Sequence, residues 1–259
     1  MTELLAAPEF WGSLVTLTFL EIVLGIDNLL FVSVAVANLK GAAQKNARRI
    51  GVWGAMVLRI LMLGGIFWII NADKAPLFQL PEGFVKLFAH GDAHAMEAMA
   101  QVTVKDLILL AGGLFLLWKG TQEIHAAVEG TGHEAAKAKS EFAAVIVQLF
   151  VINIVFSLDS VITAVGMTAI IEVMVAAVVL STFVMAAAAT PLAAFIEKHP
   201  TTKMLALAFI LLVGVALVAD GLGFHIPRGY LYFAIAFSLA VELLNIRARR
   251  KTEHPGRAP

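Results

Sequence analysis

The sequence predicts an all-α polytopic membrane protein with seven transmembrane helices, built as a three-plus-three inverted-topology repeat with one C-terminal helix added. Three observations lead there: an apolar composition, a one-sided distribution of basic residues, and a polar motif that occurs twice. The chain is 60% hydrophobic and 15% charged, whereas soluble domains average about 45–50% and 25%. A transmembrane β-barrel is excluded because its strands are short and alternate polar with apolar residues.

The apolar spans follow one another along the whole chain. About 20 residues suffice to cross a bilayer, and the short third span is expected to continue as a helix into the cytoplasm after Lys119. The outer loop 71–104 is expected to contain a short amphipathic helix. The spans lie roughly at 11–37, 50–70, 105–118, 142–167, 172–195, 203–220 and 230–246. They form one transmembrane domain over 1–259, with repeat one at about 11–125, repeat two at about 142–225, an extra helix at about 230–246 and a basic cytoplasmic tail at 247–259.

Lysine and arginine indicate the orientation, because cytoplasmic loops are enriched in them. Fourteen of the nineteen basic residues lie in loops 38–49, 119–141 and 196–203 and in the tail. All four regions fall on one side of a seven-span arrangement. We therefore expect the N-terminus outside and the C-terminus in the cytoplasm.

The repeated motif places polar residues within spans one and four. A constant shift of 132 residues pairs them, and the two spans enter the membrane from opposite sides, as in transporters with inverted repeats. At 1.5 Å per residue, both aspartates of the motif lie within about 10 Å of the midplane. The matched pairs are Glu21 with Asn153, Gly25 with Ser157, Asp27 with Asp159, and Asn28 with Ser160.

Charges inside the spans point to a cation site. One charge at mid-bilayer depth costs about 2.5–3.5 kcal/mol on insertion scales, and Glu21, Asp27, Asp159 and Arg59 together carry a formal charge of −2. A divalent cation or protons would neutralise it. Oxygen ligands suit Mg²⁺, Ca²⁺ and Mn²⁺. The predicted ligands are Asp27, Asp159, Glu21, Asn28, Asn153 and Ser160, with Arg59 as charge partner and Ser157, Asp220, Glu242 and Lys119 as accessory candidates.

Other interpretations stay open for these residues. The buried charges could form an ion-pair network that only fixes helix packing. Asp220 fits a position at the membrane interface better than a ligand position. The long side chain of Lys119 can extend to the interface. In regular helices the aspartates point away from the face of the amides, so we hypothesise local unwinding at Gly25 and Ser157, which would free backbone carbonyls as ligands.

Several classes of function are excluded. The net charge is zero, which gives no indication of nucleic-acid binding, and the absence of cysteine rules out disulfides and thiolate chemistry. The N-terminus lacks the basic region of a cleaved signal peptide. Motifs of hydrolases, metalloproteases and phosphate-binding loops are missing, so we do not expect an enzyme or a resident cofactor.

Three segments resemble signatures of the TerC family of integral membrane proteins in its short, membrane-only form. They are EIVLGIDN at 21–28, FSLDSVITA at 156–164, and GFHIPRGYLYF at 223–233 running into FSLAVE at 237–242; Glu123-Ile124-His125 also fits. The resemblance covers almost the whole chain. It implies an association with tellurium resistance or manganese efflux, with Glu21, Asp27 and Asp159 handling the cation.

The sequence and the resemblance together lead to two expectations. The first is a bacterial inner-membrane exporter of a divalent metal, most simply Mn²⁺, with protons as the exchanged ion and the lipid bilayer as its surroundings. The alternative is a membrane assembly factor that supports metallation of exported proteins, or tellurium resistance, without transporting metal. In that alternative the outer loop and the basic tail would bind secretion machinery or a metalloprotein client; the sequence does not identify a particular protein partner.

Overall fold

A computed structural model describes residues 8–37, 39–65, 77–80, 85, 100–129, 138–168, 170–224 and 226–253, and within these not the side chains at 8–9, 138–141, 159 and 249–253. This part of the chain forms seven long helices and one small sheet. The elements are α1 (Pro8–Ala35), α2 (Gly41–Gly64), β1 (Phe78–Gln79), β2 (Gln101–Val102), α3 (Val104–Glu129), α4 (Ala138–Met167), α5 (Ile171–Lys198), α6 (Pro200–Gly221) and α7 (Arg228–Glu253).

Six of these helices are long and apolar enough to cross a membrane, namely all except α2. The first three turns of α2 contain Lys45, Arg48 and Arg49, which lower its apolar character. The all-α membrane class is thus confirmed. The count of seven crossings and the inverted repeat stay predictions.

Two loops were expected where the structure has helix. Most of 38–49 belongs to α2, which begins at Gly41, and of 196–203 only His199 lies between α5 and α6. The helices extend beyond the predicted spans because hydropathy marks only the apolar part of a helix; the span boundaries themselves stay predictions. Pro200 stands at the first position of α6, where its missing N–H removes no helical hydrogen bond.

The third helix continues to Glu129, which confirms the expected helical extension past Lys119. In the outer loop, β1 and β2 pair antiparallel with Phe78 opposite Val102. The amphipathic helix expected within 71–104 lies outside the described residues.

Helix packing occurs mainly in three pairs: α3 with α6, α1 with α5, and α2 with α4. In the predicted repeat, α1, α2 and α3 correspond to α4, α5 and α6. This correspondence turns the pair of α1 with α5 into the pair of α4 with α2, and the reverse. The direction of α1 and α5 follows from their contacts. Leu17 shares a buried cluster with Met174, Gly25 abuts Met185, and Leu29 clusters with Ala189, so the two helices run parallel.

Glycine brings the backbones of α3 and α6 into contact. A Cβ at Gly113 would lie 2.7 Å from the carbonyl oxygen of Gly214, and one at Gly221 would lie 2.7 Å from that of Asp106. Gly120 faces Leu211. The contacting residues have rising residue numbers in α3 and falling residue numbers in α6, so the two helices are antiparallel. Both directions are those that alternating crossings require.

Candidate functional site

Seven of the polar residues that the sequence singles out lie buried on α1, α2 and α4. Each is at most 7% exposed to solvent. Three helices contribute them because α4 packs against both α1 and α2. The group comprises Glu21, Asp27 and Asn28 of α1, Arg59 of α2, and Asn153, Ser157 and Ser160 of α4; we call it the buried polar group.

Glu21 and Arg59 form an ion pair within this group. Arg59 Nη1 donates to Glu21 Oε2 at 2.6 Å, and the two side chains are 1% and 3% exposed. A charged hydrogen bond this short is among the strong ones. It neutralises both charges and links α1 to α2, so Glu21 is less available to a cation than the sequence suggested.

Amide and hydroxyl groups approach from α4. Asn153 Nδ2 donates to the carbonyl oxygen of Gly51 at 3.2 Å, and Ser160 Oγ donates to the carbonyl oxygen of Ser157 at 3.2 Å. Three other oxygens of the group are buried and have no hydrogen-bond partner among the described residues: Asn28 Oδ1, Asn153 Oδ1 and Ser157 Oγ.

Buried oxygens of this kind are unfavourable by themselves. A buried polar atom without a partner costs about 1–3 kcal/mol, and most buried polar atoms in proteins do have one. All three oxygens are neutral and suit a hard cation. Their chemistry therefore fits the expected ligand set.

The two aspartates differ in what the structure describes. Asp27 is 7% exposed, whereas the side chain of Asp159 lies outside the described residues. Within the described part, no three His, Cys, Asp or Glu side chains come together as a metal cluster. The paired-aspartate site stays a prediction.

The hypothesis of unwound helices was wrong. Both α1 and α4 are continuous through Gly25 and Ser157, so no backbone carbonyls are freed there. At Gly25 a side chain would overlap the Met185 thioether. Glycine is required at this position by close helix packing and not by a break in the helix.

A small pocket of about 10 Å³ borders the buried polar group. Its lining includes Asn28, Gly51, Ala55 and Met185. Gly51 also accepts the hydrogen bond of Asn153, so amides from α1 and α4 both approach this part of α2. Sequence reasoning missed Met185, because one methionine in an apolar helix carries no signal.

Three accessory candidates make their recorded contacts elsewhere. Asp220 Oδ2 pairs with Arg228 Nη2 at 2.8 Å and Oδ1 accepts from the Ile226 backbone N–H at 3.2 Å, which ties α6 to α7. Thr201 Oγ1 donates to Glu242 Oε1. Lys119 Nζ lies 2.9 Å from Glu123 Oε1, one turn further along α3.

A family model described as "Integral membrane protein TerC family" matches residues 6–254. The chain belongs to the TerC family. This match confirms the resemblance to TerC signatures. The description of the family is that of an integral membrane protein and names no catalytic activity.

Curated relatives of this TerC-family chain are similar along most of its length. The UPF0053 inner membrane protein YgdQ of Escherichia coli K12 is 45% identical over 244 residues, covering 94% of this chain and 95% of the relative. A UPF0053 protein of Haemophilus influenzae is 44% identical, covering 96% and 99%. The larger YoaE of Escherichia coli K12 is 42% identical, covering 96% of this chain and 45% of YoaE. No solved structure matches the chain.

Proposed function

We propose that this TerC-family protein transports a divalent metal cation, Mn²⁺ above others, out of the cytoplasm through the buried polar group. One observation carries the proposal: amide and hydroxyl oxygens of α1 and α4 are buried without hydrogen-bond partners among the described residues, and Asp27, next to Asn28 in the sequence, is buried as well. A protein that used these residues only for packing would gain stability by pairing or replacing them.

Charge supports a divalent substrate. The Glu21–Arg59 ion pair is neutral, so the formal charge of −2 carried by Glu21, Arg59, Asp27 and Asp159 together equals that of the two aspartates. Two carboxylates balance one divalent cation. Asn28, Asn153, Ser157 and Ser160 would complete its coordination.

The ligand chemistry favours Mn²⁺ over softer metals. Carboxylate, amide and hydroxyl oxygens suit Mg²⁺, Ca²⁺ and Mn²⁺, and Mg²⁺ gives up its water reluctantly. Met185, at the border of the pocket, is a further group that a transition metal tolerates better than Ca²⁺ does. These arguments, with the implied association of the family, make Mn²⁺ the proposed substrate.

Arg59 would assist release. Its guanidinium carries a permanent charge and its Nε and Nη2 have no hydrogen-bond partner among the described residues. A permanent positive charge on a helix that packs against α4 opposes a bound cation and would prevent trapping. Protons taken up by the carboxylates as the metal leaves would couple export to the proton gradient.

The proposed location is the bacterial inner membrane, with the N-terminus outside and the C-terminus in the cytoplasm. Relatives named as inner membrane proteins support the location. The basic residues of the sequence support the orientation. We further propose that the protein catalyses no covalent chemistry.

Metal flux into proteoliposomes containing only the purified protein tests the proposal. Wild type should carry Mn²⁺, and Asp27→Asn should lower the flux about tenfold or more, the size of loss common at metal sites. Glu129→Gln is the matched control, because Glu129 is exposed at the end of α3. Absence of flux in the wild type would favour an assembly factor, and full flux in Asp27→Asn would contradict the site.

Thermal unfolding in detergent gives an independent measure of binding. A ligand that binds only the folded state raises the melting temperature with its concentration. Mn²⁺ should raise it more than Mg²⁺, Ca²⁺ or Zn²⁺ in the wild type, and Asp27→Asn should remove the difference. An equal shift in Asp27→Asn and the wild type would place the bound metal elsewhere.

A further inference from the structure

A basic cleft lies between α2 and α5, apart from the buried polar group. Its volume is about 230 Å³. Lys45, Arg48 and Arg49 line it from α2, and Ala186 and Ala189 line it from α5, with Trp53 also on its wall. Three cations therefore face a mainly apolar surface across one cleft.

Arg48 is the most unusual of these cations. It is 9% exposed, hence nine-tenths buried, and its Nε has no hydrogen-bond partner among the described residues. Its Nη2 lies 3.8 Å from Glu197 Oε1, which is longer than a hydrogen bond. The same Glu197 oxygen accepts a shorter bond of 2.7 Å from Gln44 Nε2.

A buried guanidinium with so distant a counter-ion is unfavourable unless an anion approaches it. Arginine binds phosphate with its forked N–H donors, and lysine binds it as a point charge. Lys45 and Arg49 are exposed at the cleft and can add such contacts. The cleft thus has the donors of a phosphate site with one donor preorganised by burial.

The surroundings indicate which phosphate would bind. Trp53 packs edge-on against Phe183, and Phe183 and Val184 are 57% and 48% exposed on α5. Exposed apolar side chains on a membrane-spanning helix face acyl chains. A ligand with a charged head and an apolar body matches both parts of this surface.

We propose that this cleft binds the phosphate headgroup of an anionic membrane lipid such as phosphatidylglycerol. Arg48 contacts the phosphate from within the cleft, and Lys45 and Arg49 contact it from the rim. The acyl chains lie along the exposed apolar face beside Phe183. Basic pockets between transmembrane helices bind anionic lipid headgroups by this chemistry.

Native mass spectrometry of the full-length protein, released from nanodiscs of equal phosphatidylglycerol and phosphatidylcholine, tests this site. The double variant Lys45→Gln/Arg49→Gln keeps buried Arg48 and should fold. It should lose phosphatidylglycerol binding about thirtyfold, since each basic residue near a membrane surface contributes about a factor of five. Arg48→Gln should lose at least as much.

Lys40→Gln/Lys198→Gln is the control, since it removes two nearby charges that do not line the cleft and should keep the lipid. Equal loss in this control and in Lys45→Gln/Arg49→Gln would overturn the proposal, because the effect would then follow net charge. Unchanged binding in Lys45→Gln/Arg49→Gln would also overturn it. So would displacement of the lipid by millimolar inorganic phosphate, which would indicate a site for a soluble anion.

Discussion

Glu21 and Arg59, 38 residues apart in the sequence, meet through a 2.6 Å hydrogen bond between Oε2 and Nη1 in the interior of the helix bundle. The charge of Glu21 is thus used to hold α1 against α2. It leaves Asp27 as the buried acid of α1 that is proposed to contact the transported cation.

Breaking this ion pair from one side should destabilise the protein. Arg59→Gln leaves a buried carboxylate without its counter-charge, and such losses amount to about 3–5 kcal/mol. Glu21→Gln should have a similar effect. Glu21→Gln/Arg59→Gln removes both charges and should recover most of the stability, as measured by thermal unfolding in detergent. A double variant as unstable as the sum of the single variants would show that the residues are not coupled.

Replacing Gly25 should disturb the packing of α1 on α5. An alanine methyl would overlap the Met185 thioether, and overpacking commonly costs about 1–3 kcal/mol. Because the thioether is the flexible end of its side chain, Gly25→Ala/Met185→Ala should regain part of the loss. Denaturation of the single and double variants measures this, and no regain would mean that Met185 is not the obstacle.

Gly113→Ala should be more damaging than Gly25→Ala. Its methyl would meet the Gly214 carbonyl oxygen and the Val218 backbone nitrogen, at 2.7 and 2.8 Å, and backbone cannot rotate aside. Gly12→Ala is the control, since no atom lies within 4 Å of its methyl position and alanine favours helix by about 1 kcal/mol. Melting temperatures should fall for Gly113→Ala and stay or rise for Gly12→Ala; equal temperatures would contradict the contact.

Asp220 should matter for the connection of α6 to α7 and not for transport. Asp220→Ala removes the partner of Arg228 and of the Ile226 N–H, so hydrogen exchange of residues 222–227 should speed up. Arg228→Gln should have a smaller effect because the bond to Ile226 remains. Flux in proteoliposomes should stay near the wild-type value, and its loss in Asp220→Ala would return Asp220 to the site.

Hydropathy and the repeated motif predicted the helices and the residues of the buried polar group. Glu21, Asn28, Asn153 and Ser157 were found because a polar residue in an apolar span is a strong signal. The sequence did not identify the partner of Arg59, because helical periodicity does not say which of several acidic residues on neighbouring helices is closest. Packing at Gly25 was misjudged because glycine signals both a break and a close approach.

Helix ends were the other limit of the sequence. Charged residues continue α2 and α5 beyond their apolar parts, so the loops 38–49 and 196–203 were placed where helix exists. Arg48 was counted only as evidence of orientation. Its burial against α5 depends on tertiary contacts that no local pattern encodes.

Backbone contact between α3 and α6 has a consequence for motion. The two backbones touch directly at Gly113 and Gly221, so we expect this pair to move as one rigid body during any transport cycle. Rearrangement would then occur at the other interfaces, among them those of α1 with α5 and of α2 with α4, where side chains such as Met185 can change rotamer. A crosslink joining α3 to α6 should therefore leave flux unchanged, whereas one joining α1 to α5 should stop it.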